Sequence, residues 1–399
     1  MPLSPITATN EPPPRPPGRR LALPLDPGLT LAVIGLGICS VLTLGQATRK
    51  LVPGNPHYYV DRQIIYLSVG VVAMLVLSRL DYGVLKRMKN GIYVVLLLSI
   101  LAVRVLGHAN AVRGSQRAIE FPLFSFQASE LGKVLLIVAL AALVVERARH
   151  LRDRDTTARI VIAALIPAMF VIAQPDLGSG LVYMAIACMM LFIAGTSWKH
   201  LAALAALVAV SGAFVLAAAP AAGIHVVKQY QVERLTAFLH PSSNPQKRGY
   251  QQEESKIAIG SGQKTGRGLN SDQTSNGFVP ESHTDFIFAA VGERWGFLGA
   301  GVVLLLYGLL MSRALRILVM AKDLYGSLVA AGVTAMLMFQ VFVNMGMTIG
   351  IMPITGVTLP LMSYGGSSVV TTLLAVGLLQ SIYVRARASA ALKGRVARF

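Results

Sequence analysis

Acid is scarce in this sequence. Only 18 Asp and Glu stand against 36 Lys and Arg, and charged residues of both signs make up 14% of the 399 positions. A soluble domain carries about a quarter charged residues. With 54% hydrophobic residues the chain instead reads as an integral membrane protein. The net charge of +18 does not point to nucleic acid, because the basic residues fall in short segments between apolar runs, as topology determinants do. Cysteine is scarcer still. Cys39 and Cys188 each lie inside an apolar run, which predicts two reduced packing residues and no disulfide. The histidines stand singly, at no metal-ligand spacing. Residues 1–26 are rich in proline and lack the apolar core of a signal peptide, so they read as a disordered cytoplasmic tail.

What remains is apolar and periodic. Ten apolar runs cover 27–47, 63–78, 91–107, 129–145, 160–172, 178–194, 201–219, 297–311, 324–345 and 368–384. The expected fold is all-α: about ten transmembrane helices in one membrane domain, 27–384, with a basic cytoplasmic tail at 385–399. Orientation follows from Lys and Arg. Segments such as 79–89, 147–159, 313–322 and 385–399 are strongly basic, whereas the short loops on the other side hold Arg49, Lys50, Arg62, Arg104, Arg113 and Arg117. Both termini are therefore expected inside. That leaves about 221–295 outside as the one long hydrophilic loop, a length that is usually functional. Helices are expected there at 228–239 and 251–259. The Gly-rich stretch 260–268 fits neither phosphate-binding pattern, although its amides with Lys264 or Arg267 could face an anion.

Three constellations carry chemistry. Pro280-Glu281-Ser282-His283-Thr284-Asp285-Phe286-Ile287-Phe288 puts Asp285 at the opening turn of a helix, where the polar loop meets an apolar run. An ionisable group at the edge of hydrocarbon is costly unless paired or functional; the plain alternative is a first-turn Asp after a Thr284 cap. The stretch 350–368 is too apolar for an exposed loop and too rich in Pro and Gly for a helix. It reads as a re-entrant outer segment facing the same cavity and offering Ser363, Tyr364 and Ser367. Asn344, in the ninth span, needs a partner there or in an interhelical hydrogen bond. Third, Arg113-Gly-Ser-Gln116-Arg117 precedes Gln127-Ala-Ser129-Glu130-Leu-Gly-Lys133. Glu130 and Lys133 share a helix face and can pair; Arg117 and Lys133 bring cations to the outer side, and a capped helix end is the alternative. Asp176, in Gln174-Pro-Asp-Leu-Gly178, reads as a helix cap.

Together these stretches resemble the SEDS family of peptidoglycan polymerases, and the likeness runs from the first span to the last. It rests on Gln116-Arg117, Gln127 with Ser129-Glu130 and Lys133, 174–178, 280–288, and Pro353-Ile-Thr-Gly-Val-Thr-Leu-Pro360 with Ser363-Tyr-Gly-Gly-Ser-Ser368. Asn344-Met-Gly-Met-Thr-Ile-Gly350 looks more like the RodA elongation branch than the FtsW division branch. Ala118 stands where the family usually has Trp, Ala128 where it has Pro, and Arg294 where a second acid often follows Glu293.

The resemblance implies a multi-pass enzyme of the bacterial cytoplasmic membrane that polymerises lipid II with inversion, with Asp285 as its essential base. It also implies substrate contacts at Arg117, Gln127, Ser129, Glu130, Lys133, Glu281, His283, Thr284, Asn344, Ser363, Tyr364 and Ser367. One base suffices for such a reaction, because pyrophosphate can leave as an anion stabilised by cations, whereas glycosidases pair two carboxylates. A divalent cation, Mg or Mn, is implied on the pyrophosphate, with no ligands assignable, and no organic cofactor. The chain has no Ser-x-x-Lys transpeptidase motif, so cross-linking falls to another chain, a class B penicillin-binding protein. Small residues Ala330, Ala331, Gly332, Ala335 and Gly377 are the expected docking stripe, unless they pack the protein's own helices. A lipid flippase would need charges deep in several helices and an inverted repeat; a non-catalytic scaffold would tolerate loss of Asp285.

Overall fold

The computed structural model describes residues 25–52, 54–106, 118–120, 124–174, 176–213, 249–268 and 271–396. The described part of each of the ten apolar runs falls in a helix, with Ala194 just past the end of its own. These are α1 (Pro27–Ala47), α2 (Tyr58–Arg79), a short α3 (Tyr82–Arg87), α4 (Lys89–Leu106), α5 (Ala128–Glu146), α6 (Arg154–Ala173), α7 (Leu177–Ile193) and α8 (Trp198–Ala213). After them come α9 (Gly249–Ser261), α10 (Asp272–Ser275), α11 (Ile287–Met320), α12 (Leu324–Thr348) and α13 (Gly366–Val396). Seven of the described helices are long and apolar enough to cross a membrane, and α7, at 17 residues, is shorter. A two-residue antiparallel ladder sets Ile119 opposite Phe126 and Glu120 opposite Ser125. The predicted helix at 251–259 is α9; the one at 228–239, the end of the seventh run and the N-terminal tail as far as residue 24 lie outside the described residues.

The few acids are placed where they end helices. Asp26, Asp81, Asp176 and Asp323 cap α1, α3, α7 and α12, accepting from the amides of Leu29, Gly83, Ser179 and Gly326. Asp26 also accepts from Arg313 of α11, while Gln380 of α13 accepts from the Asp26 amide at 2.8 Å, so three helices are tied at one end. That end carries, among the described residues, the basic segments 79–89, 147–159, 313–322 and 385–395. The other carries the 280–286 turn and the stretch between α12 and α13.

Three helices form the centre of the bundle. Windows of α5, α12 and α13 are 78%, 72% and 78% buried, against 22% for α2 and 28% for α11, whose exposed Ile64, Val72, Phe297 and Leu305 form a lipid-facing surface. The small residues of α12 and α13 belong to this interior. Ala330 and Ala331 are fully buried, a Cβ on Gly332 would lie 2.8 Å from Ile137, and one on Gly377 would lie 2.9 Å from the Met74 carbonyl. The expected docking stripe is therefore corrected: close approach here serves the protein's own helices.

The Gly-rich stretch also has an internal role. α11 is kinked at Gly296, whose φ of +62° only glycine adopts readily. The amides released there are taken up by loop carbonyls, Phe297 N donating to Gln263 O at 2.8 Å and Leu298 N to Lys264 O at 3.1 Å. A Cβ on Gly262 would sit 1.9 Å from the Gly292 carbonyl. The stretch 260–268 splints a kinked helix, and the amides of Gly266 and Arg267 are spent on Gly262 O and Glu293 O.

Candidate functional site

Asp285 does not open α11. The helix begins at Ile287 after a Phe286 cap, and Asp285 lies in the turn before it. Thr284 caps nothing either, since its hydroxyl donates to the Glu281 carboxylate at 2.8 Å. Both halves of the plain reading thus fail. The turn is held by its carbonyls. His283 O accepts from Tyr364 N at 2.9 Å, Thr284 O from Ser363 Oγ at 2.6 Å, and Asp285 O from Asn344 Nδ2 at 2.8 Å. Glu281, at φ +59°, supplies the strained residue that lets the chain reverse. Three predicted site residues, Asn344, Ser363 and Tyr364, therefore act on the backbone that presents Asp285.

The stretch between α12 and α13 that supplies two of them is packed inside protein, as non-helical backbone among spans must be. Val357, Leu359, Leu361 and Met362 are buried. Its carbonyls are met by side chains of surrounding helices: Val357 O by Asn344 Nδ2, Pro360 O by Tyr307 Oη, Met362 O by Ser40 Oγ and Ser363 O by Gln63 Nε2. Gln252 and Ser255 of α9 close the end of α12 by donating to Met347, Met352 and Thr348 carbonyls. A polar side chain in a span is costly without such a task.

These segments enclose a cavity of about 300 Å³. Its wall includes Glu120, Gln127, Glu130, Asp176, Thr284, Asp285, Thr358, Tyr364 and Ser367. Gln127 bridges the parts, its amide donating to Ser367 Oγ at 2.9 Å and its Nε2 to Ser129 Oγ and Asp176 Oδ2 at 3.1 Å each. Asp176 also accepts from Ser129 Oγ and the Ser179 amide, so it is the helix cap expected and a wall residue as well.

The cations fall differently from expectation. Lys133 is 2% exposed, its Nζ lies 2.7 Å from Glu130 Oε1, and Glu130, not Lys133, reaches the wall. Arg117 lies outside the described residues. Glu281 and His283 flank the turn without lining the cavity, His283 packing on Tyr59 and Tyr364. The described lining thus holds four carboxylates, Glu120, Glu130, Asp176 and Asp285, and no Lys or Arg. Glu120 was not anticipated, because a single acid in a polar loop carries no sequence signal. A wall of oxygen donors suits a hard divalent cation. Among the described residues no three His, Cys, Asp or Glu converge into an all-protein cage, so such an ion would share its shell with a ligand's oxygens.

With this geometry in view, similarity to known proteins is extensive. The FtsW/RodA/SpoVE family model, described as "Cell cycle protein", matches residues 25–388. The chain is 36% identical over 373 residues to the probable peptidoglycan glycosyltransferase FtsW of Thioalkalivibrio sulfidiphilus, covering 91% of this chain and 90% of that one. It is 33% identical over 360 residues to the peptidoglycan glycosyltransferase MrdB of Escherichia coli K12, covering 90% and 93%. A solved structure described as "Structural coordination of polymerization and crosslinking by a peptidoglycan synthase complex" aligns with TM-score 0.76 and 31% identity, over 92% of this chain and 99% of that one.

Proposed function

Because the chain belongs to the FtsW/RodA/SpoVE family, we propose that it is a peptidoglycan glycosyltransferase that polymerises lipid II at the outer face of the bacterial cytoplasmic membrane, both termini lying inside. Asp285 is the general base. It takes the proton from the 4-hydroxyl of one disaccharide as that oxygen attacks the anomeric carbon of another, with inversion. The undecaprenyl pyrophosphate leaves with its electron pair. The observation that carries this reading is the grip on three successive carbonyls, 283 to 285, which holds the Asp285 carboxylate at the cavity wall.

The leaving pyrophosphate needs positive charge, and the described wall supplies none. A divalent cation, Mg or Mn, would neutralise that charge when bound, with no more than two of the wall carboxylates Glu120, Glu130 and Asp176 as its candidate protein ligands. Lys133 acts from behind the wall by orienting Glu130. Cross-linking falls to a separate class B penicillin-binding protein, a reading supported by the peptidoglycan synthase complex among the similar structures. The FtsW and MrdB relatives, at 36% and 33% identity, do not separate division from elongation; assignment to elongation rests on 344–350.

The test is purified protein, with its partner, on labelled lipid II. Asp285→Asn, which keeps the packing, is expected to lower polymerisation by at least 10²-fold, the usual contribution of a positioned base, with the melting temperature unchanged. Full polymer from the variant would reduce Asp285 to a turn residue and favour a scaffold.

A further inference from the structure

At the Tyr364 edge of the cavity the wall continues as a group of aromatic rings that the catalytic step leaves unused. Tyr59 of α2 lies 4.9 Å, centroid to centroid, from both His283 and Tyr364. Tyr58 meets Tyr59 edge-on at 5.2 Å, and the Arg62 guanidinium lies 4.4 Å from the Tyr58 ring. Beneath them Tyr66 is buried, 6.0 Å from Tyr364, and Gly366 packs on its ring, where a Cβ would come within 3.1 Å. Tyr66 is thus a floor, while Tyr58, Tyr59, Arg62, His283 and Tyr364 are half-buried. Four of the chain's 12 tyrosines gather at this one rim, which is more than packing two helices requires.

We propose that this rim is a saccharide-binding platform that holds the glycan strand beside the reaction cavity; the proposal rests on the polymerase reading above. A β-linked amino sugar presents an apolar C–H face and a ring of hydroxyls. A tyrosine matches both, with a flat apolar body and a polar tip. A polymerase must keep its strand close between additions, and a cavity of about 300 Å³ has room for little more than the reacting units. The rings extend from the wall residue Tyr364 outward, where the strand must run. Arg62 adds a cation suited to the carboxylates of the strand's peptide stems. Tyrosines at a membrane boundary also form belts against lipid headgroups. Here, however, the rings contact one another, the turn that carries Asp285 and the cavity rim.

The probe is tetrameric β-1,4-linked N-acetylglucosamine, titrated by saturation-transfer NMR into the full chain in nanodiscs, alongside the length distribution of polymer made from lipid II. Loss of one stacking ring is expected to weaken the probe on the order of 10-fold. Tyr58→Ala and Tyr59→Ala should each do so and shorten the strands more than they slow the first coupling, while Tyr59→Phe, which keeps the ring, should weaken the probe far less. If Tyr59→Ala melts below wild type, Tyr58→Ala decides on the probe, and Arg62→Gln decides on strand length, because the probe carries no carboxylate. Unchanged affinity and strand length in stable variants would overturn the platform, and a change confined to bilayer stability would make the rings a headgroup belt. An inactive wild type that still binds the probe would sink the polymerase reading and spare the platform.

Discussion

The Glu130–Lys133 pair offers a sharp test because its two halves do different things. Both side chains are nearly closed off, 6% and 2% exposed, with 2.7 Å between charges, yet only Glu130 reaches the cavity wall. Removing one partner of a buried pair leaves an uncompensated charge and costs about 3–5 kcal/mol, whereas replacing both with similar volumes is often neutral. At about 1.4 kcal/mol per factor of ten, Lys133→Met or Glu130→Gln alone should therefore shift the folding equilibrium by roughly 100-fold to several thousand-fold. The double variant should recover most of that loss. Activity should part from stability, because the double variant is folded but lacks the Glu130 charge at the wall. We expect its polymerisation rate to stay at least 10-fold below wild type. Thermal inactivation half-lives of detergent-solubilised protein and initial rates on labelled lipid II measure the two quantities separately. A double variant as fragile as the single ones would refute the pairing argument. One restored in both stability and rate would reduce the pair to the capped helix end that the sequence also allowed.

Two further outcomes follow from single contacts. Asn344→Leu strips the donors from Asp285 O and Val357 O, at 2.8 and 2.7 Å; since misplacing a catalytic group by about 1 Å can cost 10²-fold, the initial rate should fall by one to two orders of magnitude, and an unaffected rate would return Asn344 to simple helix packing. At the opposite end, burial pushes the Asp26 carboxyl up, but the Arg313 guanidinium and the Leu29 amide outweigh it and hold the group below its ordinary 3.8. A lowered carboxylate stabilises above its unfolded value and loses that contribution as pH falls, so Asp26→Asn should cost about 1.5–3 kcal/mol at pH 7, as for a hydrogen bond to a charged group, and the gap to wild type should close in melts taken below pH 3.8; a gap constant with pH would mean the Asp26 charge is not what ties α1 to α11.

Sequence reasoning located the spans because burial in lipid imposes one requirement on every helix, a long apolar run, and that requirement is written locally. It located Asp285 for a related reason: a carboxylate where a polar loop meets an apolar run is anomalous from its neighbours alone. What it could not read was anything decided by the partner across a gap. The sequence holds the i to i+3 spacing of Glu130 and Lys133, but which of the two faces the cavity depends on how α5 rolls against α7, where a Cβ on Gly132 would meet the Tyr183 hydroxyl at 2.0 Å. The small residues of α12 permit close approach to a foreign helix or to α5, and only the packed bundle, with Gly332 on Ile137, decides between them. The Gly-rich stretch looked like a ligand loop because its actual ligand, the broken backbone of α11 around Gly296, lies some 30 residues downstream. In each case the residue types announced that something would come close, and tertiary structure chose what. Asn344, Ser363 and Tyr364 follow the same rule: the sequence offers them as polar groups near the site, and the packed structure sets them on the turn that presents Asp285, with Tyr364 in the cavity wall as well. Under the proposed mechanism Asp285 must meet a hydroxyl in one geometry at every addition, so the rigid backbone beneath it is as necessary as its carboxylate.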